Sequence, residues 1–241
     1  MKKLVAVCCL ALAVMPLRAQ YSASETFSWD QLIVPGILIG AGTIASFSPW
    51  YQTNVDTPLQ EWALNVSGGQ QCKIDNVLQY VPWLGYAATL PFVETDHNWQ
   101  EKCLVLGTSF SVMMALSYST KYLTGVSRPN ARNKMSFPSA HTAMAFVGAE
   151  IVRREFGPWW GLAAYSTAAA TGFLRVYNNW HWSSDVIAGA GVGILSGMIA
   201  YWLLPWERSV LKIDNKNASI TASPSYMPGA NVPVFAFTLM F

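Results

Sequence analysis

Six apolar stretches separated by shorter polar ones limit what this chain can fold into. They run over 31–49, 77–93, 103–120, 138–152, 157–174 and 186–204. Several approach the ~20 residues that a helix needs to cross a bilayer. The stretch 157–174, GPWWGLAAYSTAAATGFL, is rich in Ala and Gly, as packed membrane helices are. The last, VIAGAGVGILSGMIAYWLL, carries small residues at four-residue spacing and ends in aromatics. Charged residues are 12% of the chain against 52% hydrophobic, about half the charged share of a soluble domain. The expected fold class is therefore all-α: a multi-span helical membrane bundle of about five to six helices. A net charge of +2 with no basic run argues against a nucleic-acid partner.

The two ends differ from this body. MKKLVAVCCLALAVMPLRAQ has a basic start at Lys2 and Lys3, an apolar core from Leu4 to Met15, and a small residue, Ala19, at a cleavage-like point. It reads as a secretory leader over 1–20, with an uncleaved anchor as the alternative. Residues 21–76 form an N-terminal segment with the first apolar helix, 77–206 a helical core, and 207–241 a tail. In the tail, ASITASPSY and VPVFAFTLMF flank a Pro-Gly turn, the pattern of a short β-hairpin.

Orientation follows from charge. Arg153 and Arg154 lie between two apolar stretches, and Arg208, Lys212 and Lys216 follow the last. The positive-inside tendency puts both clusters in the cytoplasm and the segments around Arg128, His141 and His181 outside. A secreted start with six full spans gives the opposite parity, so one stretch is expected not to span. The expected one is 77–93, which is short and holds Pro82, Gly85 and Pro91. Cys72 and Cys103 then share the cytoplasmic side, and no disulfide is expected between them.

Charge within the apolar body marks a site. The stretch FLRVYNNWHWSSDVIAGAGVG, 173–193, holds Arg175, His181 and Asp185. His181 and Asp185 are four apart, so on a helix they share a face. A carboxylate on one imidazole nitrogen fixes the tautomer and leaves the other nitrogen free to attack. KYLTGVSRP, 121–129, adds Lys121 and Arg128. FPSAH, 137–141, adds Ser139, Ala140 and His141 at the start of a helix, where open backbone N–H groups suit an anion. Each piece has a plain alternative: a core histidine with an ion pair, cations reaching a headgroup layer, a simple cap.

Taken in order, the three pieces resemble the signature of the type 2 phosphatidic acid phosphatase superfamily, which includes lipid phosphate phosphatases and bacterial acid phosphatases. Lys121…Arg128-Pro129, Pro138-Ser139-Ala140-His141 and Leu174-Arg175…His181…Asp185 follow its three motifs. The resemblance covers about 120–190 by motif. Two positions depart from it: Ala140 stands where the family has glycine, and Leu174 where it has serine.

The resemblance implies a metal-independent phosphatase without a cofactor. His181 attacks phosphorus and forms a phosphohistidine, Asp185 orients His181, and His141 protonates the leaving oxygen and then activates water. Lys121, Arg128, Arg175 and Ser139, with the N–H groups at Ala140 and His141, hold the phosphoryl oxygens. The substrate class is a lipid phosphate, such as a lipid A phosphate, undecaprenyl diphosphate or a glycerophospholipid phosphate. The expected place is the inner membrane, with the site facing the periplasm and Trp180 and Trp182 near the membrane interface. Three alternatives stand beside it: a soluble periplasmic acid phosphatase for small phosphomonoesters, a headgroup-binding protein without turnover, and a hydrolase with a metal on His141, His181 and Asp185.

Overall fold

The structure, a computed structural model, describes residues 24–90, 93, 95–213, 219–226 and 233–240, the last two stretches as backbone alone. The expected leader over 1–20 lies outside the described residues. A 3-10 turn, Trp29–Leu32, leads into α1 (Ile33–Phe47). A short α2 (Pro49–Tyr51), a π-helical stretch Gln52–Asp56 and α3 (Thr57–Ser67) follow. Next come α4 (Asp75–Leu78), α5 (Val81–Thr89), α6 (Trp99–Thr124), α7 (Ala140–Phe156), α8 (Pro158–Tyr177) and α9 (Ser183–Leu211). The tail strands β1 (Ser219–Tyr226) and β2 (Pro233–Met240) run antiparallel, Ser219 opposite Met240. The residues that join them, 227–232, lie outside the described residues.

Local chemistry sets the helix ends. Asn98 and Glu101 close a reciprocal capping box on α6, and Gly125 ends that helix in the left-handed region at φ 57°. Ser139 caps α7, accepting from the Thr142 N–H. The first turn of α9 is held from a distance. Asp56 accepts from the Ser183 N–H at 2.9 Å, the Ser183 hydroxyl at 2.6 Å and the Ser184 hydroxyl at 2.9 Å. A carboxylate at a helix N-terminus also meets the positive end of its dipole.

Helix α9 is the central post, its flank against α7 lined by Gly189, Gly193 and Gly197. A Cβ at Gly193 would overlap the Ala143 carbonyl, and one at Gly189 would come within 2.6 Å of the Ser139 carbonyl. Gly191 does the same on the other flank, 2.8 Å from the Pro35 carbonyl of α1. Only small residues let the backbones approach this closely. Ala143, Val147, Ile151, Ala200, Tyr201 and Leu204 are buried between α7, α9 and their neighbours.

The outer faces are apolar. Ile37 and Ile44 of α1, Phe110 of α6, Leu162 and Phe173 of α8 and Leu203 of α9 are exposed. Trp29, Trp159 and Trp206 are exposed near one end of the bundle, Trp50 and Tyr122 near the other, as aromatics sit at two lipid interfaces. Three helical stretches, Trp29–Phe47, Trp99–Thr124 and Ser183–Leu211, are long and apolar enough to cross a membrane. The molecule is thus a mostly helical membrane protein.

The stretch 77–93 is not among the helices long and apolar enough to cross a membrane, in keeping with the sequence reading, but it runs along α7 rather than across the end of the bundle. At its start Asp75 pairs with Arg175 at the C-terminal end of α8, at 2.6 Å. Pro82 and Trp83 lie against Gly148 at the middle of α7, and the Tyr86 ring meets Phe156 at the end of α7. Beyond it, His97 Nδ1 lies 2.9 Å from Glu155, and Lys102 donates to the Val93 carbonyl at 2.8 Å. The segment therefore travels the length of α7, 17 residues or about 25 Å. It does so as two short helices packed on a neighbour, which a reading by unbroken apolar length does not detect.

Among the described residues, α1, α4–α5, α6, α7, α8 and α9 alternate in direction along the bundle. Both ends of the described helical body lie at the arginine end. There Arg154 donates to the Ser24 carbonyl at 2.8 Å, and Arg208 pairs with Glu25 at 2.8 Å. Cys72 and Cys103 consequently lie at opposite ends, not on one side. Cys72 exchanges backbone hydrogen bonds with the Asn178 side chain, at 2.8 Å each, whereas Cys103 is in the first turns of α6. Both are exposed free thiols.

Candidate phosphoryl site

The end of the bundle opposite the arginine cluster gathers the charged residues singled out in the sequence. His181 sits in the loop between α8 and α9, buried, with its N–H 3.3 Å from the Arg175 carbonyl. Its Nδ1 faces Asp185 Oδ2 at 3.4 Å, one helical turn on. Nε2 is thereby the nitrogen left for a reacting atom. Asp185 Oδ2 also accepts from the Trp182 N–H at 3.0 Å and from the Ser136 hydroxyl. The Asp185 carbonyl accepts from the Ser139 N–H at 3.0 Å, which ties the start of α7 to the start of α9.

Burial first, and then the positive fields of Lys121, Arg175, Arg128 and His141, hold the His181 imidazole well below its ordinary value. It is neutral at pH 7, the form that can attack. The three motifs converge: Ser139 donates its N–H to the Asp185 carbonyl, and Arg128 and Arg175 share the Trp180 ring.

The cations are held differently from one another. Arg175 donates from Nη1 to Asp75, and its buried Nε has no protein partner. Arg128 is half-buried in the loop after α6, and its Nε is also buried without a partner. Both guanidinium groups lie over the Trp180 ring, at 5.5 Å for Arg128 and 5.4 Å for Arg175, and Arg132 joins them at 5.3 Å. The indole fixes the planes of the forks while leaving N–H groups free for an anion.

Lys121 departs from the sequence expectation of direct phosphate contact. Its ammonium donates to the carbonyls of Met135 at 3.0 Å, Ser136 at 3.1 Å, and Pro138. An ammonium has three hydrogens, so all three are engaged. Its charge reaches the site while its bonds shape the loop that carries Ser136 and Ser139.

Ser139 is the cap of α7 as well as a site residue, with its Oγ 2.9 Å from the Thr142 hydroxyl. Ala140 and His141 occupy the first two positions of α7, where backbone N–H groups have no partner within the helix. Both are partly exposed. Leu174 is also partly exposed, one residue before Arg175, and adds no polar atom there. Trp182 turns its indole N–H to the Ser127 carbonyl at 2.8 Å.

Three residues escaped the sequence reading: Ser136 behind Asp185, Asp75 on Arg175, and Asp56 at the head of α9. Ser136 lies three residues before the Ser139 motif and was open to notice as a second serine in SFPS. Asp75 and Asp56 lie 100 and 127 residues from Arg175 and Ser183, and no local spacing announces them. Among the described residues no group of three His, Cys, Asp or Glu side chains is placed to hold a metal ion. The alternative of a metal on His141, His181 and Asp185 has no assembled ligand set.

A buried histidine with a carboxylate on one nitrogen and guanidinium groups beside it is an arrangement that can hold a phosphoryl group. Residues 102–209 match the model of the PAP2 superfamily. The chain is 36% identical over 155 residues to the Lipid A 1-phosphatase of Porphyromonas gingivalis, covering 62% of this chain and 35% of that protein. It is 36% identical over 73 residues to the bacitracin transport permease protein BcrC of Bacillus licheniformis, covering 29% of this chain and 34% of that one. The chain thus spans about a third of the length of the curated relatives it matches. Among solved structures, the fold is similar to that of a transmembrane PAP2 type phosphatidylglycerolphosphate phosphatase from Bacillus subtilis. The TM-score is 0.51 and the identity 21%, over 75% of this chain and 98% of that chain.

Proposed function

We propose that this chain is a membrane-embedded, metal-independent phosphatase that hydrolyses a lipid phosphate through a phosphohistidine. The observation that carries the reading is the buried His181, with Asp185 on its Nδ1 and Arg128 and Arg175 gathered over the neighbouring Trp180 ring. In the first step His181 Nε2 forms a bond to phosphorus as the bond to the lipid oxygen breaks. His141, as its imidazolium, gives that oxygen a proton. In the second step neutral His141 takes a proton from water, the water oxygen bonds to phosphorus, and the P–N bond returns its electron pair to His181. Arg128 and Arg175 hold the phosphoryl oxygens through their open N–H groups, and the N–H groups at the start of α7 add to them. Lys121 contributes charge and holds the loop.

Lipid A phosphate is the first substrate to try, since the longer of the two sequence matches is to a Lipid A 1-phosphatase. The soluble alternative is disfavoured by the exposed apolar flanks. Placement in the inner membrane with the site towards the periplasm rests on Arg153, Arg154 and Arg208 at the opposite end. That orientation leaves Ser24 on the cytoplasmic side, which a leader cleaved at Ala19 does not.

The test is a substrate panel on detergent-purified protein with a chelator present: lipid A phosphate, undecaprenyl diphosphate and glycerophospholipid phosphates. Phosphate release from one lipid class supports the reading. Binding without release from any of them supports the headgroup-binding alternative, and loss of release on chelation supports the metal alternative.

A further inference from the structure

A cavity of about 240 Å3 is lined in part by Ser127 and Trp182, the chain neighbours of Arg128 and His181. Its floor is Ser46, Asp56 and Ser184, all buried. Its rim is Gln52, Thr57 and Ser127, all exposed, so the cavity has a mouth at the surface. The volume matches about eight water molecules at ~30 Å3 each, more than a bridging water needs.

The floor carries one polar atom that the fold does not use. Ser46 is 3% exposed, and its hydroxyl has no partner among the described residues. The groups around it are largely engaged. Gln52 spends its amide N–H on the Ser46 carbonyl, and the Thr57 hydroxyl donates to the Gln52 carbonyl at 2.8 Å. Asp56 accepts two bonds at Oδ1 and one at Oδ2. A carboxylate has about four acceptor positions, so Oδ2 retains one. The cavity therefore offers acceptors at Asp56 and the Gln52 amide oxygen, and a hydroxyl at Ser46 that donates or accepts. A floor carboxylate repels a second phosphate. A neutral group bearing several hydroxyls satisfies all three.

The cavity adjoins the phosphoryl site through the chain itself, since Ser127 precedes Arg128 and Trp182 follows His181. We propose that it is a subsite for the polyhydroxylated part of the substrate headgroup, a sugar ring or a glycerol, next to the phosphoryl group that His181 attacks. This rests on the phosphatase reading above and adds to it a preference for hydroxyl-bearing headgroups over bare prenyl phosphates.

Steady-state kinetics on the detergent-purified full chain test it, comparing wild type with Ser46→Ala and Ser46→Leu. Lipid A phosphate, phosphatidylglycerophosphate and farnesyl diphosphate serve as substrates. The Ala variant removes the hydroxyl alone, and loss of about one neutral hydrogen bond raises KM for the hydroxylated substrates about fivefold. The Leu variant fills the floor and raises it further, while kcat/KM for farnesyl diphosphate stays within about twofold. Whichever of the sugar and glycerol substrates loses more names the source. Equal losses on all three substrates, or no loss on any with either variant, overturn the subsite and leave the phosphatase reading intact. A wild type that hydrolyses none of the three overturns both. Should Ser46→Leu fail to fold, Ser46→Ala alone decides.

Discussion

Ser136 donates its hydroxyl to Asp185 Oδ2, the same oxygen that faces His181 Nδ1. Ser136 is fully buried, and its own oxygen lies 3.4 Å from that imidazole nitrogen. It therefore fixes the carboxylate that faces the proposed nucleophile, His181. Removing a hydrogen bond to a charged group costs about 1.5–3 kcal/mol, so Ser136→Ala is expected to lower kcat about 10- to 100-fold. KM is expected to stay within about twofold, because no bond to the phosphoryl group is lost. A variant that changes KM and leaves kcat alone contradicts this positioning role, and Ser136→Thr is expected to recover part of the rate.

Lys121 is expected to behave as a loop anchor with a charge. Lys121→Met leaves the buried carbonyls of Met135, Ser136 and Pro138 without their donor. Each unsatisfied buried acceptor costs about 1–3 kcal/mol, so thermal unfolding in detergent is expected several degrees lower, with activity lost. Lys121→Arg does not rescue, because a planar fork cannot converge on three carbonyls. A Lys121→Arg protein with full activity and stability contradicts the assignment.

The end remote from the site sets the response to alkaline pH. His97 is buried between Glu25 and Glu155, 2.9 Å from each. Burial alone lowers its pKa, but the bonds to Glu155 and Glu25 outweigh it and raise the pKa from 6.5 to about 9. A histidine raised on folding contributes stability that is fully present below about 6.5 and lost as pH rises through about 9. The amount is on the order of 3 kcal/mol. His181, held low, acts in the opposite sense, its contribution being lost as pH falls below 6.5. Thermal midpoints are thus expected to be highest near pH 6.5 and to decline from there to about pH 9. A His97→Asn protein is expected to lose the alkaline decline, and an unchanged decline in that variant rules out His97 as its source.

Cys72 and Cys103 provide a built-in measure of orientation, being exposed at opposite ends. Chains retaining one cysteine each are treated with a membrane-impermeant maleimide in intact cells. Cys72 is expected to label from outside and Cys103 only after lysis. The reverse result puts the site in the cytoplasm. Labelling of both from one side contradicts the alternating arrangement of the helices.

Most of the site was legible because its chemistry is written in local spacing. His181 and Asp185 four apart, and Ser139 at a helix start, are patterns a helix must bring to one face or one end. The helical body was legible from apolar length, whereas the small residues at 189, 193 and 197 did not name α7 as the helix they meet. What was hidden came from long-range pairing. Asp75 and Asp56 sit in polar loops without period, and only the fold carries them to Arg175 and Ser183. The path of 77–93 was hidden for another reason: its two short helices lean on Gly148 of α7, a contact that apolar length does not announce. The role of Lys121 was hidden because the bonds its ammonium makes depend on the turn at 135–138.

The central claim is that His181 carries the phosphoryl group between two half-reactions. Mixing the purified protein with lipid phosphate, quenching in alkali within the first turnover and sequencing the peptides by mass spectrometry tests it directly. The account predicts an acid-labile, alkali-stable phosphoryl group on His181 of the wild type, missing from His181→Ala. Turnover in the His181→Ala protein near the wild-type rate, or a phosphoryl group on any other residue, would contradict it.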